Sequence, residues 1–412
     1  MTAAVRPLWR GRVVALLGIV LVSMSLRTVL AATSPIVDVI QRDVPLSTTA
    51  IAIIGTLPPL CFAIIGLLTP RLTRRVGLVA ATLIALGVIV VGHAIRATAP
   101  NAVILIIGTA VALAGMGAGN VTLAPLVKRY FPDRIPLMTA LYTSGYCIST
   151  LAPALVVGPM AEQASWRWSF GVWVSVTVLA AIPWIIQLRK DPARDVQLAS
   201  GPATSGKPFT VMSLWRSPVA VALAVAGGIN SFQSFTIMAW YPQILVDSNA
   251  LTNAEVGPAL AIHAGMGIPV ALLLPIVARH LKSLSSLFWL GGSLMVISHL
   301  VVLLAPGFAP MAIMVSTGIG LLNLPVVFVL MPQRTRTEQG TVVLSGFVNA
   351  VNYGIAATGP LLTGLIHEVT GSWTVPLIVL ASSSLLIMAA AIVLRTGHYV
   401  EDAFPESEPT KN

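Results

Sequence analysis

Charge is what this sequence has least of: only 9% of its 412 residues are Asp, Glu, Lys or Arg, against roughly 25% in an ordinary soluble domain. So little charge cannot clothe a water-facing surface, and that excludes most soluble folds. Cysteine is nearly absent too. Cys61 and Cys147 both sit inside apolar runs and make neither a disulfide framework nor a metal site. No His-Glu-x-x-His, Gly-x-Ser-x-Gly or Cys-x-x-Cys occurs, and no pair of carboxylates falls within an apolar run. Enzyme chemistry therefore has no residues to carry it, and neither a cofactor nor a metal is expected. The 24 basic residues outnumber the 14 acidic ones for a net charge of +10. In a soluble protein that surplus would suggest nucleic acid, but 56% hydrophobic residues and a mean hydropathy of +0.89 leave no polar surface for such a patch. The lipid bilayer is the expected solvent.

What the chain does have is long apolar runs. Twelve are long enough to cross about 30 Å of hydrocarbon: residues 13–39, 48–69, 77–97, 101–126, 136–160, 168–188, 218–245, 253–277, 284–304, 308–330, 341–365 and 373–394. Lipid satisfies no backbone hydrogen bonds and the runs do not alternate, so they read as helices and not barrel strands. Arg6, Arg10 and Arg12 ahead of the first run resemble the start of a signal peptide. The run is too long for one, and an uncleaved first helix is expected.

Twelve spans put both termini on one side. Arg6, Arg10, Arg12, Arg71, Arg74, Arg75, Lys128, Arg129, Arg134, Arg189, Lys190, Arg194, Lys207, Arg216, Arg279, Lys282, Arg334, Arg336, Arg395 and Lys411 fall on that side, 20 of the 24 basic residues. Only Arg42, Arg96 and Arg167 fall on the other. The positive-inside rule places both termini in the cytoplasm of a multi-pass protein of the cytoplasmic membrane. The polar stretch 189–217, with its Gly, Pro and Ser, reads as a cytoplasmic linker between six-helix halves at 1–188 and 218–394, and 395–412 as a tail. The halves look duplicated. Shifts of 203 to 207 positions bring Pro35 onto Pro242, Pro70 onto Pro275, Pro153 onto Pro360, Tyr146 onto Tyr353, Trp166 onto Trp373, and Gly115-x-Gly117-x-x-Asn120 onto Gly318-x-Gly320-x-x-Asn323.

One basic residue is left over. Arg27 lies about fifteen residues into the first run, near mid-membrane at about 1.5 Å per residue. A charge there costs about 2.5 to 3.5 kcal/mol or more, so it usually faces protein or a watery cavity. Snorkelling, or capping a neighbouring helix, is the structural alternative. Guanidinium stays protonated and offers a planar fork of donors to a carboxylate, nitro or cyanate group. Asp38 lies about 16 Å further along the helix, nearer the extracellular mouth. Every other Asp and Glu falls in a loop, a terminus or a helix end. That favours an anionic or polar-acceptor solute over a lipophilic cation. His263, about ten residues into the eighth span, is the candidate for proton coupling; a neutral imidazole bonded to a carbonyl is the alternative. His93 and His299 read as structural. Polar side chains on helical faces complete the candidates: Asn120, Tyr142, Tyr146, Asn230, Gln233, Asn349, Asn352 and Tyr353. Some of these amides will serve only to join helices.

The loop Gly66-Leu-Leu-Thr-Pro70-Arg71-Leu-Thr73-Arg74-Arg75-Val-Gly77 resembles the signature loop of the major facilitator superfamily, with Pro70 and Thr73 in place of its Asp and second Gly. With Leu26-Arg27-Thr28 through Ser34-Pro35-Ile36, and Phe131-Pro132-Asp133-Arg134 leading into Thr139-Ala-Leu-Tyr142-Thr143, the chain resembles the cyanate and 2-nitroimidazole transporter branch. The resemblance implies an all-α membrane fold of twelve transmembrane helices in two pseudo-symmetric halves. It also implies a secondary active transporter moving a small anionic or nitro-bearing solute by alternating access, with Arg71, Arg74 and Arg75 as a gate. A monomer in the bilayer is expected, with no nucleic-acid partner. A proton-coupled multidrug exporter is the alternative within transport, and a membrane-embedded enzyme or a sensor the alternatives outside it.

Overall fold

The structure, a computed structural model, describes residues 12–29, 36–46, 48–190, 210–281 and 283–404. Most of the expected linker and the last eight residues of the tail lie outside the described residues, as do residues 30–35 of the first span and the side chain of Asp38. Among the described residues all regular structure is helical: α1 Val13–Ser25, α2 Val37–Asp43, α3 Thr48–Val76, α4 Leu78–Ala97, α5 Ala102–Tyr130, α6 Ile135–Gln163, α7 Trp166–Lys190, α8 Pro218–Asp247, α9 Asn253–Gly265, α10 Gly267–His280, α11 Ser286–Leu304, α12 Pro310–Gly320, α13 Asn323–Gln333, α14 Glu338–Thr370 and α15 Thr374–Leu394. Nine helical stretches among the described residues are long and apolar enough to cross a membrane. The other three expected spans fall on α3, α6 and the shorter apolar α1.

Three spans are broken where continuous helices were expected. The first stops at Ser25, bends at Leu26 and Arg27, and turns helical again at Thr28. Two hydroxyls bond back just ahead of the bend: Ser23 donates to the Val20 carbonyl at 2.6 Å and Ser25 to the Leu21 carbonyl at 3.2 Å. Such back-bonding competes with the helical ladder and bends it. The eighth span breaks at Met266, between Gly265 and Gly267, and the tenth at Leu321 and Leu322, just before Asn323.

The chain forms two compact units. The first holds the described residues up to Val211 together with Thr335–Ala350 and Phe404; the second holds Met212–Arg334 and Val351–Ala403. The opening of α14 thus belongs with the first unit although it lies in the second half of the sequence. Close backbones seat it there: a Cβ on Gly346 would stand 2.5 Å from the Gly66 carbonyl oxygen. Polar contacts add to this. Lys128 Nζ donates to the Thr335 carbonyl and to its hydroxyl, and Arg129 pairs with Glu338 at 3.5 Å. Within the first unit, α4 and α5 meet where a Cβ on Gly92 would lie 2.3 Å from the Ala112 nitrogen. Gly77 makes the one-residue turn between α3 and α4 at φ 89°, a conformation that favours glycine.

A tie recurs in both units. Trp166 Nε1 donates to Asp43 at 2.8 Å in the first, and Trp373 Nε1 donates to Asp247 at 2.8 Å in the second. The tryptophans stand 207 positions apart and the aspartates 204. Each bond pins the start of the last helix of its half, α7 or α15, to the segment that follows the first span of that half.

Candidate functional site

In the first unit the break at Leu26 and Arg27 places the guanidinium among aromatic rings. Arg27 Cζ lies 5.1 Å from the Tyr146 ring centroid and 5.6 Å from that of Phe62. A cation over such faces gains about 0.5 to 2 kcal/mol. Tyr142 is buried edge-on against Tyr146, centroids 5.6 Å apart. The segment after the break is held from α4, where His93 Nε2 lies 3.1 Å from the Thr28 hydroxyl. Asn120 is buried on α5 with its amide nitrogen lacking a hydrogen-bond partner. Asn349, on the part of α14 belonging to this unit, donates to the Ser345 carbonyl at 2.8 Å. Arg71 and Arg75 are exposed and Arg74 half-buried. Besides the contacts of Lys128 and Arg129 described above, Arg12 reaches Asp133 at 2.6 Å in this unit.

In the second unit Gln233 is occupied structurally: its amide nitrogen donates to the Leu380 carbonyl at 3.1 Å and to the hydroxyls of Ser383 and Ser384 on α15 at 3.1 and 2.5 Å. Asn352 accepts from the Ser231 hydroxyl at 2.7 Å, joining α14 to α8. Asn230 is buried with its side-chain oxygen unpartnered, and Tyr353 is buried. His263 bonds Thr317 at 2.9 Å, and a Cβ on Gly318 would stand 2.7 Å from the His263 carbonyl oxygen, so α9 and α12 touch beside their breaks.

The sequence reading missed several of these features. Arg96, assigned to the outer side, lies in the last turn of α4 and is wholly buried, its guanidinium 3.9 Å above the Phe170 ring. Arg27, the arginine that stood out from sequence, is only half-buried. His299, read as structural, is buried and bonded to Tyr241. The Trp–Asp ties could have been found, because Asp43 and Asp247 stand at the repeat offset.

A bundle of membrane-length helices with buried arginine, amide and imidazole groups, and with breaks inside its spans, is the build of a membrane carrier. The chain matches the Major Facilitator Superfamily over residues 15–345 and belongs to that family. It is 29% identical over 394 residues to the 2-nitroimidazole transporter of Escherichia coli K12, covering 94% of this chain and 96% of that one. It is 23% identical over 360 residues to the cyanate transport protein CynX of the same organism, covering 87% and 91%. In fold it is similar to the Escherichia coli fucose:proton symporter FucP, with a TM-score of 0.67 at 15% identity, covering 92% of this chain and 98% of that one. The protein is a multi-pass membrane transporter of a small-molecule solute, and its activity is transport and not catalysis.

Proposed function

We propose that this transporter carries a small anionic or nitro-bearing polar solute across the cytoplasmic membrane by alternating access, with Arg27 as its anchor. The observation that carries the reading is Arg27 itself: a guanidinium in mid-span, at a break in the helix, flanked by Tyr146 and Phe62. Its fixed charge and planar donors suit a planar anion or a nitro group, and the spans contribute no carboxylate core to attract a cation. The names of the relatives, a 2-nitroimidazole and a cyanate transporter, support the same solute class. Tyr142, Tyr146, Asn120 and Asn349 from the first unit, and Asn230, Asn352 and Tyr353 from the second, line the solute path in this reading. Gln233 contributes less because its amide nitrogen is engaged. Both termini face the cytoplasm, the basic residues at 71, 74 and 75 gate that side, and His263 couples transport to protons.

A thermal-shift screen of the purified protein with cyanate, 2-nitroimidazole and other small anions tests the anchor. One of them should stabilise the wild type and leave Arg27→Ala and Arg27→Lys unmoved, although both variants insert and purify normally. Equal stabilisation of Arg27→Ala would sink the reading. Uptake into proteoliposomes that ignores an imposed pH gradient, in wild type and in His263→Ala alike, would remove the coupling.

A further inference from the structure

Two buried imidazoles in the second unit are bonded in ways that bear on which ring nitrogen holds the proton. His263 Nδ1 lies 2.9 Å from Thr317 Oγ1. Thr317 spends its only hydroxyl proton on the Met314 carbonyl, 3.0 Å away, so Oγ1 accepts and His263 Nδ1–H donates. A neutral ring with its proton on Nδ1 has a bare lone pair on Nε2. That atom is buried and has no hydrogen-bond partner among the described residues. His299 takes the other tautomer. Its Nδ1 meets the Tyr241 hydroxyl. A phenol O–H is a more acidic donor than an imidazole N–H and an imidazole nitrogen is a better acceptor than a phenol oxygen, so Tyr241 donates to Nδ1 and the ring proton sits on Nε2. His299 Nε2 is likewise without a partner. The unit therefore buries an unfilled acceptor on one ring and an unfilled donor on the other, and α12 joins the two places: Thr317 bonds His263 while the adjacent Ser316 bonds Ser298, next to His299.

We propose that Nε2 of His263 is the proton-binding atom of the second unit, that Tyr241 holds His299 in its neutral Nε2–H form, and that the pair carries one proton and not two. The proposal deepens the proton-coupled reading above and rests on it. The step is a simple protonation: the lone pair takes a proton from hydronium, leaving water and an imidazolium, and release reverses it without exchange of electrons. A charge on His263 then opposes a second on His299.

Among the described residues, the surroundings contain nothing to neutralise a second charge. α11 packs against α12, α13 and α15, which carry no titratable side chain, and it meets α8 at Tyr241. Those packed against α9 are α8, α10 and α12. Their titratable groups are Tyr241 and Asp247 on α8 and Arg279 and His280 on α10, with Glu255 on α9 itself. Asp247, Glu255, Arg279 and His280 all stand in the terminal turns of their helices, and Asp247 is already bonded to Trp373.

The test needs no solute. Nitrogen NMR of the purified full chain labelled on its six histidines, titrated with acid, reads tautomer and charge directly. His263→Asn and His299→Asn assign the two rings, with His263→Gln in reserve should the first fail to fold. We expect His263 as the Nδ1–H tautomer that becomes imidazolium on acidification, while His299 stays in the Nε2–H form. In Tyr241→Phe, His299 should lose its fixed tautomer, and in His263→Asn it should begin to take up the proton itself. His263 found as the Nε2–H tautomer, His299 charging first, or both rings charging together would overturn the proposal. Because no solute is present, a failed Arg27 screen leaves this result standing, and a failed titration leaves the Arg27 reading intact.

Discussion

The two halves of this chain share a scaffold and differ in chemistry. Each half ties the start of its last helix with a Trp–Asp bond, and in each a buried histidine of the third span bonds a hydroxyl of the first: His93 with Thr28, His299 with Tyr241. Those histidines stand 206 positions apart. At equivalent helix contacts, however, the first half uses bare backbone where the second uses polar side chains. Gly92 against Ala112 in one becomes Ser298 bonded to Ser316 at 2.9 Å in the other. Gly145 pressed on Ser23 becomes Asn352 bonded to Ser231. The first half also carries a permanent charge in mid-span, Arg27, and the second carries an additional buried imidazole, His263. The ties that hold the helices recur in both halves, and the polar groups between them differ: Arg27 is a fixed cation in one, and His263 can titrate in the other.

If that division of labour is right, the largest effect belongs to Arg27. Arg27→Ala should weaken binding of the stabilising anion by about 10²-fold or more, since a guanidinium fork makes two charge-assisted hydrogen bonds. Asn352→Ala in the second half should cost about tenfold or less, a neutral hydrogen bond being worth about 1 kcal/mol. Titration calorimetry with the anion found in the thermal-shift screen compares them. Equal losses would mean that the halves share the anchoring, and the contrast drawn above would fall.

Packing should break unequally too. Gly92→Ala must push a methyl into the backbone of Ala112, where the helix cannot yield without moving, and overpacking of this kind costs about 1 to 3 kcal/mol. Ser298→Ala, its counterpart, removes only one interhelical hydrogen bond, worth about 0.6 kcal/mol in membranes. Thermal unfolding of both variants in one detergent should put Gly92→Ala lower.

How far the sequence reached follows from the same contrast. Number and class of spans, and the duplication, were legible because lipid demands long apolar helices and because tryptophans, prolines and glycines repeat at fixed offsets. Arg27 was legible because a charge stands out against an apolar run. Its setting was not. Ser23 and Ser25 bond back to their own helix just before the break at Leu26, but hydroxyls bond back in unbroken helices too. Arg96 escaped because a basic residue near a span's end looks like a loop residue until the Phe170 ring is seen beneath it. The partners of Gln233 lie 147 to 151 positions away, a separation that no local pattern reveals.

The Trp–Asp ties should weaken in proportion to their burial. Trp166 is 2% exposed, whereas Trp373 is half-buried and its bond to Asp247 is open to solvent. Losing the indole donor in Trp166→Phe strands an acceptor in a drier place. It should cost about 1 to 2 kcal/mol, and Trp373→Phe less than about 1 kcal/mol. The reverse order in thermal unfolding would show that the second-half tie carries more of the fold than its exposure suggests.

The smallest difference lies at a helix start. In the second half α9 opens with a capping box: the Thr252 N–H donates to Glu255 at 2.9 Å and its hydroxyl donates to the same oxygen at 2.8 Å. Residues 47–50, at the corresponding start in the first half, read Ser-Thr-Thr-Ala and have no acid to close the box. The two Thr252 donors hold the Glu255 carboxyl below its ordinary value of 4.5. A depressed folded-state pKa means that the carboxylate form stabilises the fold. That contribution is complete above the unfolded value and is lost as pH falls through the lower folded one. Glu255 is fully open to solvent, so salt and water screen the effect. Hydrogen exchange at the amides of residues 252–256 should therefore quicken as pH drops below about 4, after correction for intrinsic rates, and Glu255→Gln should flatten that dependence. Exchange at residues 48–52 should show no such step, because no carboxylate sits there to be protonated.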